Sequence, residues 1–476
     1  MSSFINDDAP LPQRKITTRR KRRAANTQQQ HDNKNQLVQN NNNNNLTSSI
    51  QIKKKQQIIM SDVIVIDGSV LEGGGQIYRN AICLGALLKK SVRVTNIRAG
   101  RKKPGLRRQH LVGAECIRDL LIENSILKNG YVESTDVSFL IKQDNSSSNN
   151  NNVNDSNCNN HREIIADCVT AGSINLILQA ALPVLEFSSN NNNISTTTIC
   201  VKGGTTVPFS PPLDFYKYIY LPILQNEFGI QSKINIIKEG YMPIGKGQVN
   251  ISKNNNGGGR GSNNPKKIHQ LKPITKINFG TIDSIIVCTT CFGDAWNNKN
   301  NKKNQMTLYN ETIQRVKDHY NKQANVRNKT KSIEFINKLN LTGSLKGSGI
   351  AIQIIIKTNT KCILSGNSLI QPKRVTSSNI GVDAFINAMK EVEKEIQVNA
   401  CVGEHLSDQL LIFMCLANGI SKIRIRNIDT YSSQHLKTGI HVLKQFLPNL
   451  QIDLKDSKDD NGKTQILTVV GIGYEY

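Results

Sequence analysis

Three stretches of this chain combine residue types suited to phosphate chemistry. The first, Asp67-Gly68-Ser69-Val70-Leu71-Glu72-Gly73-Gly74-Gly75-Gln76, lies between an apolar run and a helix-patterned run. Consecutive glycines let backbone N–H groups approach a ligand, and a following helix N-terminus favours anions. A tight structural turn would use the same glycines, so spacing alone leaves both readings open. Glu72 favours the binding reading, because a carboxylate beside an anion site orients a metal, a cation or a ribose. The second stretch, Arg98 to Arg108, holds six Arg/Lys in eleven residues, broken by Gly100, Pro104 and Gly105. Guanidinium groups bind phosphate in bidentate fashion, and the interruptions make this a turn rather than a solvated helix face. A plain basic surface loop is the alternative, and His110 just beyond reads as a partly buried histidine opening a helix.

The third stretch pairs Gly403-Glu404-His405-Leu406-Ser407-Asp408-Gln409 with Tyr431-Ser432-Ser433-Gln434-His435. Leu436, Ile440, Leu443 and Leu447 mark the buried face of a helix, and Ser432 or Ser433 is a natural N-cap. His435 then falls in the first turn, where the helix dipole is expected to lower its pKa and keep the imidazole neutral and nucleophilic. A lone histidine in a first turn is more often structural, and His441 reads that way.

The elements that must carry these stretches follow from periodicity. Strands are expected at 63–66, 91–97, 137–141, 163–166, 196–202 and 232–237, with helices at 76–88, 109–121, 173–185 and 214–227 between them. Beyond residue 340 come strands at 350–356, 362–365, 422–426, 451–454 and 464–470, and helices at 382–396, 404–417 and 433–447. This is a repeating α/β (α+β) pattern of two-layer units. The expected organisation is a Gln/Asn-rich basic tail over 1–60, a core over 61–245, a smaller inserted α/β domain over 246–350, and a second core part over 351–476. Asn-rich tracts near 149–152, 190–193, 254–264 and 297–304 read as loop expansions.

Composition narrows the partners. The 476 residues carry a formal net charge of +25, which points to a polyanion such as nucleic acid, a nucleotide or an anionic surface. Residues 1–60 hold eleven Lys/Arg against three Asp, and residues 251–340 hold sixteen Lys/Arg against five Asp/Glu, so most of the excess lies outside the three stretches. The tail lacks the apolar surface to fold alone. Its Arg19-Arg20-Lys21-Arg22-Arg23 cluster reads as a nuclear-import signal, with the cytoplasm as the alternative. No apolar run reaches the roughly 18–20 residues of a membrane span, and no secretory leader opens the chain, so a soluble intracellular protein is expected. The ten cysteines read as reduced core thiols, and Cys288-Thr289-Thr290-Cys291 alone makes a poor zinc site.

Taken together, the segments resemble the RNA 3′-terminal phosphate cyclases from about Val63 to the C-terminus. The most specific agreement is Glu72-Gly73-Gly74-Gly75-Gln76 with Arg79, and Ile97-Arg98-Ala99-Gly100-Arg101 with Pro104-Gly105-Leu106 and Gln109-His110. Ala171-Gly172-Ser173 with Gln179, Gly203-Gly204-Thr205 with Pro211-Pro212, and Asp408-Gln409-Leu410 add to it. The resemblance implies a core of repeated βαβαββ units with a smaller inserted domain. It also implies ATP-dependent conversion of an RNA 3′-phosphate into a 2′,3′-cyclic phosphate, through a covalent histidine–AMP and an RNA adenylate. By the same resemblance His435 is the nucleophile, and Glu72, Gln179, Pro211, His405, Asp408 and Gln409 contact ATP. Gln76, Arg79, Arg98, Arg101 and Gln109 contact the RNA phosphate, and Glu72 holds Mg²⁺ or Mn²⁺. The chain departs from the family at His405, where tyrosine is frequent, and at Lys246, which breaks a glycine run. Two competing readings are a non-adenylating cyclase-like protein of ribosomal RNA maturation and an enolpyruvyl transferase on a related repeat fold. The retained His435 and intact Gly-rich segment argue against the first, and the missing lysine-rich signature against the second.

Overall fold

The computed structural model describes residues 63–122, 124–142, 161–187, 194–254, 270–293, 296, 302–322, 331–340, 348–371, 375, 377–430 and 434–475. The expected tail, its basic cluster and nearly all of the Asn-rich tracts lie outside these residues, as do Ser432 and Ser433.

The first unit runs β1 (Ile64–Asp67), α1 (Gly75–Leu87), β2 (Val92–Thr95), α2 (Arg108–Leu120), β3 (Ser125–Lys128) and β4 (Val137–Ile141). Its sheet order is β1-β2-β4-β3, with β1 parallel to β2 and the remaining pairs antiparallel. The second unit repeats it as β5 (His161–Asp167), α3 (Ile174–Phe187), β6 (Thr196–Gly203), the helical run α4 over 213–228, β7 (Lys233–Lys238) and β8 (Gly247–Asn254). Its order, β5-β6-β8-β7, is the same, as is the pairing sense.

The third unit opens with the two-residue β9 (Thr275–Lys276) and is then interrupted. The interruption comprises β10 (Ile282–Gly293), α5 (Lys302–Lys322), β11 (Ser332–Asn340), β12 (Ser348–Thr358), β13 (Ile363–Ile370) and α6 (Asn379–Ile396). It forms its own sheet, ordered β11-β10-β12-β13. The third unit resumes with α7 (Glu404–Leu416), β14 (Ile420–Arg426), α8 (His435–Phe446), β15 (Ile452–Asp456) and β16 (Thr464–Val470), and its order is β9-β14-β16-β15. Three βαβαββ units thus share one topology, and the fourth sheet sits between the first strand and first helix of the third.

This differs from the expected insertion at 246–350. Residues 247–254 pair with β6 and β7 in the second unit, while β12, β13 and α6 belong with β10. Strand pairing is non-local, so a shift to basic, low-complexity sequence marks a long surface loop here rather than a domain edge.

The helices gather inside and the sheets lie outside. One core spans all three units, and α1 shows why: Ile77, Tyr78, Ala81, Ile82, Cys83, Leu84 and Leu87 are all buried. A helix with neighbours on every side must be apolar nearly all round. The inserted sheet has a second core, formed with α5 and α6 around Ile350, Ile352, Ile354, Phe385 and Val392. Cys288 faces the first core and Cys291 the second, because residues three apart on a strand point to opposite faces. The pair therefore cannot share a metal. All nine described cysteines are free and buried. Among the described residues no helix is long and apolar enough to cross a membrane.

Candidate active site

The turn from β1 into α1 is shaped by close approach. A Cβ on Gly74 would lie 2.1 Å from Glu72 Oε1, and one on Gly75 would lie 2.2 Å from His110 Nε2. The glycines therefore let the turn pass over His110 while Glu72 folds back. His110 is fixed from its own side, since its Nδ1 accepts the Arg107 N–H at 2.9 Å at the start of α2. Burial, and then the charges of Arg79, Arg98 and Arg107, hold His110 well below the usual imidazole range, so it stays neutral.

The basic turn is stitched to the Gly-rich turn. Arg101 Nη2 donates to Glu72 Oε1 at 2.7 Å and to Glu72 O at 3.0 Å. Arg98 adopts φ +56° and donates to Lys103 O and Gly105 O at 2.9 and 2.8 Å, so much of its donor capacity shapes its own loop. Arg79, on α1, donates from Nε to Gln179 Oε1 on α3 at 3.1 Å. Gln109 accepts the Ser173 N–H at 2.8 Å, tying α2 to the start of α3.

His435 is the first residue of α8, and Gln434 rather than a serine occupies the cap position, without a side-chain capping bond. His435 Nδ1 lies 2.6 Å from Gln76 Oε1 and 3.5 Å from Glu72 Oε2. Gln76 Nε2 in turn donates to Asp408 Oδ2 at 2.8 Å. This chain fixes a tautomer. With Asp408 ionised, and so only an acceptor, Gln76 presents its amide to Asp408 and its carbonyl to His435. Nδ1 then carries the proton, and Nε2 of the neutral ring keeps the lone pair.

Electrostatics correct one expectation. Burial pushes the His435 pKa down, but Glu72 and Asp408 outweigh it and the net direction is up. The shift is thus opposite to the lowering expected from the helix N-terminus. Burial raises Asp408, against His435, His405 and Arg79. Glu72 is lowered overall, with burial opposed by His435, Arg101 and Arg79.

These groups open onto a single cavity of about 870 Å³. All twelve residues singled out from the sequence line it: Glu72, Gln76, Arg79, Arg98, Arg101, Gln109, Gln179, Pro211, His405, Asp408, Gln409 and His435. Gln409 donates to His405 O at 2.6 Å, while its Oε1 is buried without a partner. Glu72 Oε2 is buried as well, with His435 Nδ1 3.5 Å away. Arg107 of the basic turn lines it too, and the cavity also has lining that sequence reasoning missed: Phe209, Asp214, and Thr290, Gln353 and Asn367 of the inserted sheet. The one legible signal was Gln353, a lone amide inside the run Ile350–Ile356.

Such a cavity, with several guanidinium groups, unpartnered acceptors and a histidine of defined tautomer, suits a polyphosphate and an attack on phosphorus. The profile of the RNA 3′-terminal phosphate cyclase family matches residues 70–451. Curated proteins of that name align along most of their length. That of Desulfurococcus amylolyticus is 29% identical over 414 residues, covering 87% of this chain and 99% of its own. That of Drosophila melanogaster is 30% identical over 390 residues, covering 81% and 91%. That of Sulfolobus acidocaldarius is 29% identical over 369 residues, covering 77% and 92%. Motif, topology, cavity and profile agree, and the chain belongs to the RNA 3′-terminal phosphate cyclase family.

Proposed function

We propose that this enzyme uses ATP to convert an RNA 3′-phosphate into a 2′,3′-cyclic phosphate, with His435 as the covalent nucleophile. The observation that carries this reading is the Asp408–Gln76–His435 chain, which leaves Nε2 as the free lone pair. Nε2 attacks the α-phosphorus of ATP, a P–N bond forms, the P–O bond to pyrophosphate breaks, and pyrophosphate leaves. An oxygen of the RNA 3′-phosphate then attacks the adenylate phosphorus and releases the imidazole, giving a diphosphate-linked adenylate. The neighbouring 2′-hydroxyl oxygen attacks the 3′-phosphorus, loses its proton, and AMP departs.

The protein's share is positioning and charge. The ribose hydroxyl is already adjacent, so the last step needs mainly a good leaving group, which adenylation supplies. Arg79 and Arg101 offset charge developing on the phosphates, and the buried Gln409 Oε1 accepts a donor from the nucleotide. Glu72 Oε2, a buried carboxylate oxygen 3.5 Å from His435 Nδ1, has the hard oxygen chemistry that a divalent cation takes. Among the described residues no group of three or more His, Cys, Asp or Glu could hold one. Glu72 would therefore share Mg²⁺ or Mn²⁺ with phosphate oxygens, and the ion would neutralise phosphate charge.

Incubation with α-labelled ATP and metal, followed by denaturation, tests the mechanism. Wild type is expected to retain label and His435→Ala to retain none; unlabelled wild type or a labelled variant refutes it. The same reading leaves 3′-hydroxyl RNA unchanged and makes 3′-phosphate RNA phosphatase-resistant. We also infer nuclear import through Arg19–Arg23. Removing residues 1–60 should keep cyclisation and lose nuclear accumulation, and a truncated protein that still accumulates there overturns the import reading.

A further inference from the structure

Part of the cavity lining has no role in these steps: the loop over 205–212, Pro211 apart, and the residues of the inserted sheet. Phe209 on that loop lines the cavity, is fully exposed at 102% relative accessibility, and sits at φ +61°. A bulky residue at positive φ is an outlier that its surroundings must impose. They do so here. Asn175 Nδ2 donates to Thr205 O at 2.9 Å and to Pro211 O at 2.7 Å, and Tyr216 OH donates to Asn175 O at 2.7 Å. Ser173 and Ser210 share a hydroxyl hydrogen bond, and Pro208, Pro211 and Pro212 stiffen the rest. The ring on this strained backbone buries nothing, so it does not serve folding.

The facing sheet is held against the same region. Lys338 Nζ of β11 contacts Asp214 Oδ1 at 2.7 Å, and the Tyr241 and Phe292 rings stack 3.9 Å apart. On β12, Ile350, Ile352 and Ile354 face the sheet's own core, whereas Gln353 lines the cavity. Gln353 is 2% exposed, and its Nε2 donates to Gly366 O at 3.2 Å and Ile354 O at 3.3 Å. Its Oε1 has no partner. A buried acceptor left open is costly unless a ligand supplies the donor.

We propose that Phe209 and Gln353 form the subsite for the nucleotide that precedes the RNA 3′ end. Its base stacks on Phe209, and its ribose 2′-hydroxyl donates to Gln353 Oε1. This rests on the cyclase reading above. An aromatic face accepts any base, and the 2′-hydroxyl is the hydrogen-bond donor that every RNA nucleotide carries whatever its base. Together they grip RNA without reading sequence.

The test uses the full chain and three 3′-phosphorylated oligoribonucleotides: unmodified, abasic at the penultimate position, and 2′-deoxy at the penultimate position. On wild type, the abasic substrate should lose about tenfold in kcat/KM, equivalent to about 1.4 kcal/mol. That penalty should shrink to about onefold in Phe209→Ala and persist in Phe209→Trp. The 2′-deoxy penalty should vanish in Gln353→Met but persist in Phe209→Ala. Each penalty is a ratio on one preparation, so partial misfolding cancels. Wild type that cyclises all three substrates equally overturns the subsite. Phe209→Ala that raises the KM for ATP in self-adenylation as much as the KM for RNA also overturns it, by making the ring an adenine platform. Wild type that cyclises none of the three refutes the cyclase reading instead.

Discussion

Gly75→Ala tests whether the turn under α1 positions the nucleophile. The new Cβ would stand 2.2 Å from His110 Nε2 and 3.0 Å from the ring carbons Cδ2 and Cε1, about 1.2 Å short of the 3.4 Å at which ordinary contact begins. The ring cannot step aside cheaply. It is 5% exposed, packs edge-on against Tyr78 at 6.5 Å, and caps α2 through Nδ1. Relief must come from α1, whose next residue is Gln76. Overpacking of this kind costs about 1–3 kcal/mol of stability. A displacement near 1 Å at a positioning residue costs about 100-fold in rate. Single-turnover self-adenylation with labelled ATP, with thermal denaturation alongside, reads both numbers. His110→Ala removes the obstructing ring, so Gly75→Ala/His110→Ala should recover most of the rate lost by Gly75→Ala. If Gly75→Ala adenylates within about twofold of wild type, or if the double variant is slower still, the packing argument is wrong.

The pH dependence has a definite sign. The folded pKa of His435 lies above 6.5 because Glu72 and Asp408 outweigh burial. Its contribution to stability is therefore full below 6.5 and is lost as pH rises through the folded value. Self-adenylation needs the neutral ring and should climb through that same pKa. NMR titration of ligand-free Glu72→Gln should show the His435 midpoint moved to lower pH; an unmoved midpoint contradicts the assignment. Gln76→Ala severs the link to Asp408 and should lower self-adenylation about 100-fold, whereas a near-normal rate would show that the tautomer is set elsewhere. Lys338→Ala strands Asp214 and Glu239, whose side chains are only 13% and 19% exposed. It should cost about 2 kcal/mol, discounted from a fully buried pair because Lys338 itself is partly solvated. Denaturant unfolding measures this, and an unchanged midpoint would mean that the carboxylates find water instead.

What the linear order determined is what depends on near neighbours. The alternation of strands and helices, the Gly-rich turn into α1, the basic turn before α2 and the placing of His435 in a first turn all follow from spacing within about a dozen residues. So does the repeated unit, since each βαβαββ set carries its own pattern. The twelve residues named from those motifs and from the family resemblance line one cavity. Only the tertiary structure decided what depends on distant groups. β8 belongs to the second sheet because it pairs with β6, and the fourth sheet closes only when β12 and β13 return to β10. Gln76 meets Asp408 across 332 residues and His435 across 359. That meeting orients the His435 ring, and the approach of Glu72 and Asp408 turns its pKa shift upward, opposite to the direction expected of a helix N-terminus alone. Arg98, read as a phosphate ligand, spends donors on its own loop, and nothing local to Phe209 or to the lone amide Gln353 shows that both line this cavity. Periodicity is a property of the chain, whereas pairing, burial and charge coupling arise only when remote segments are brought within a few ångströms.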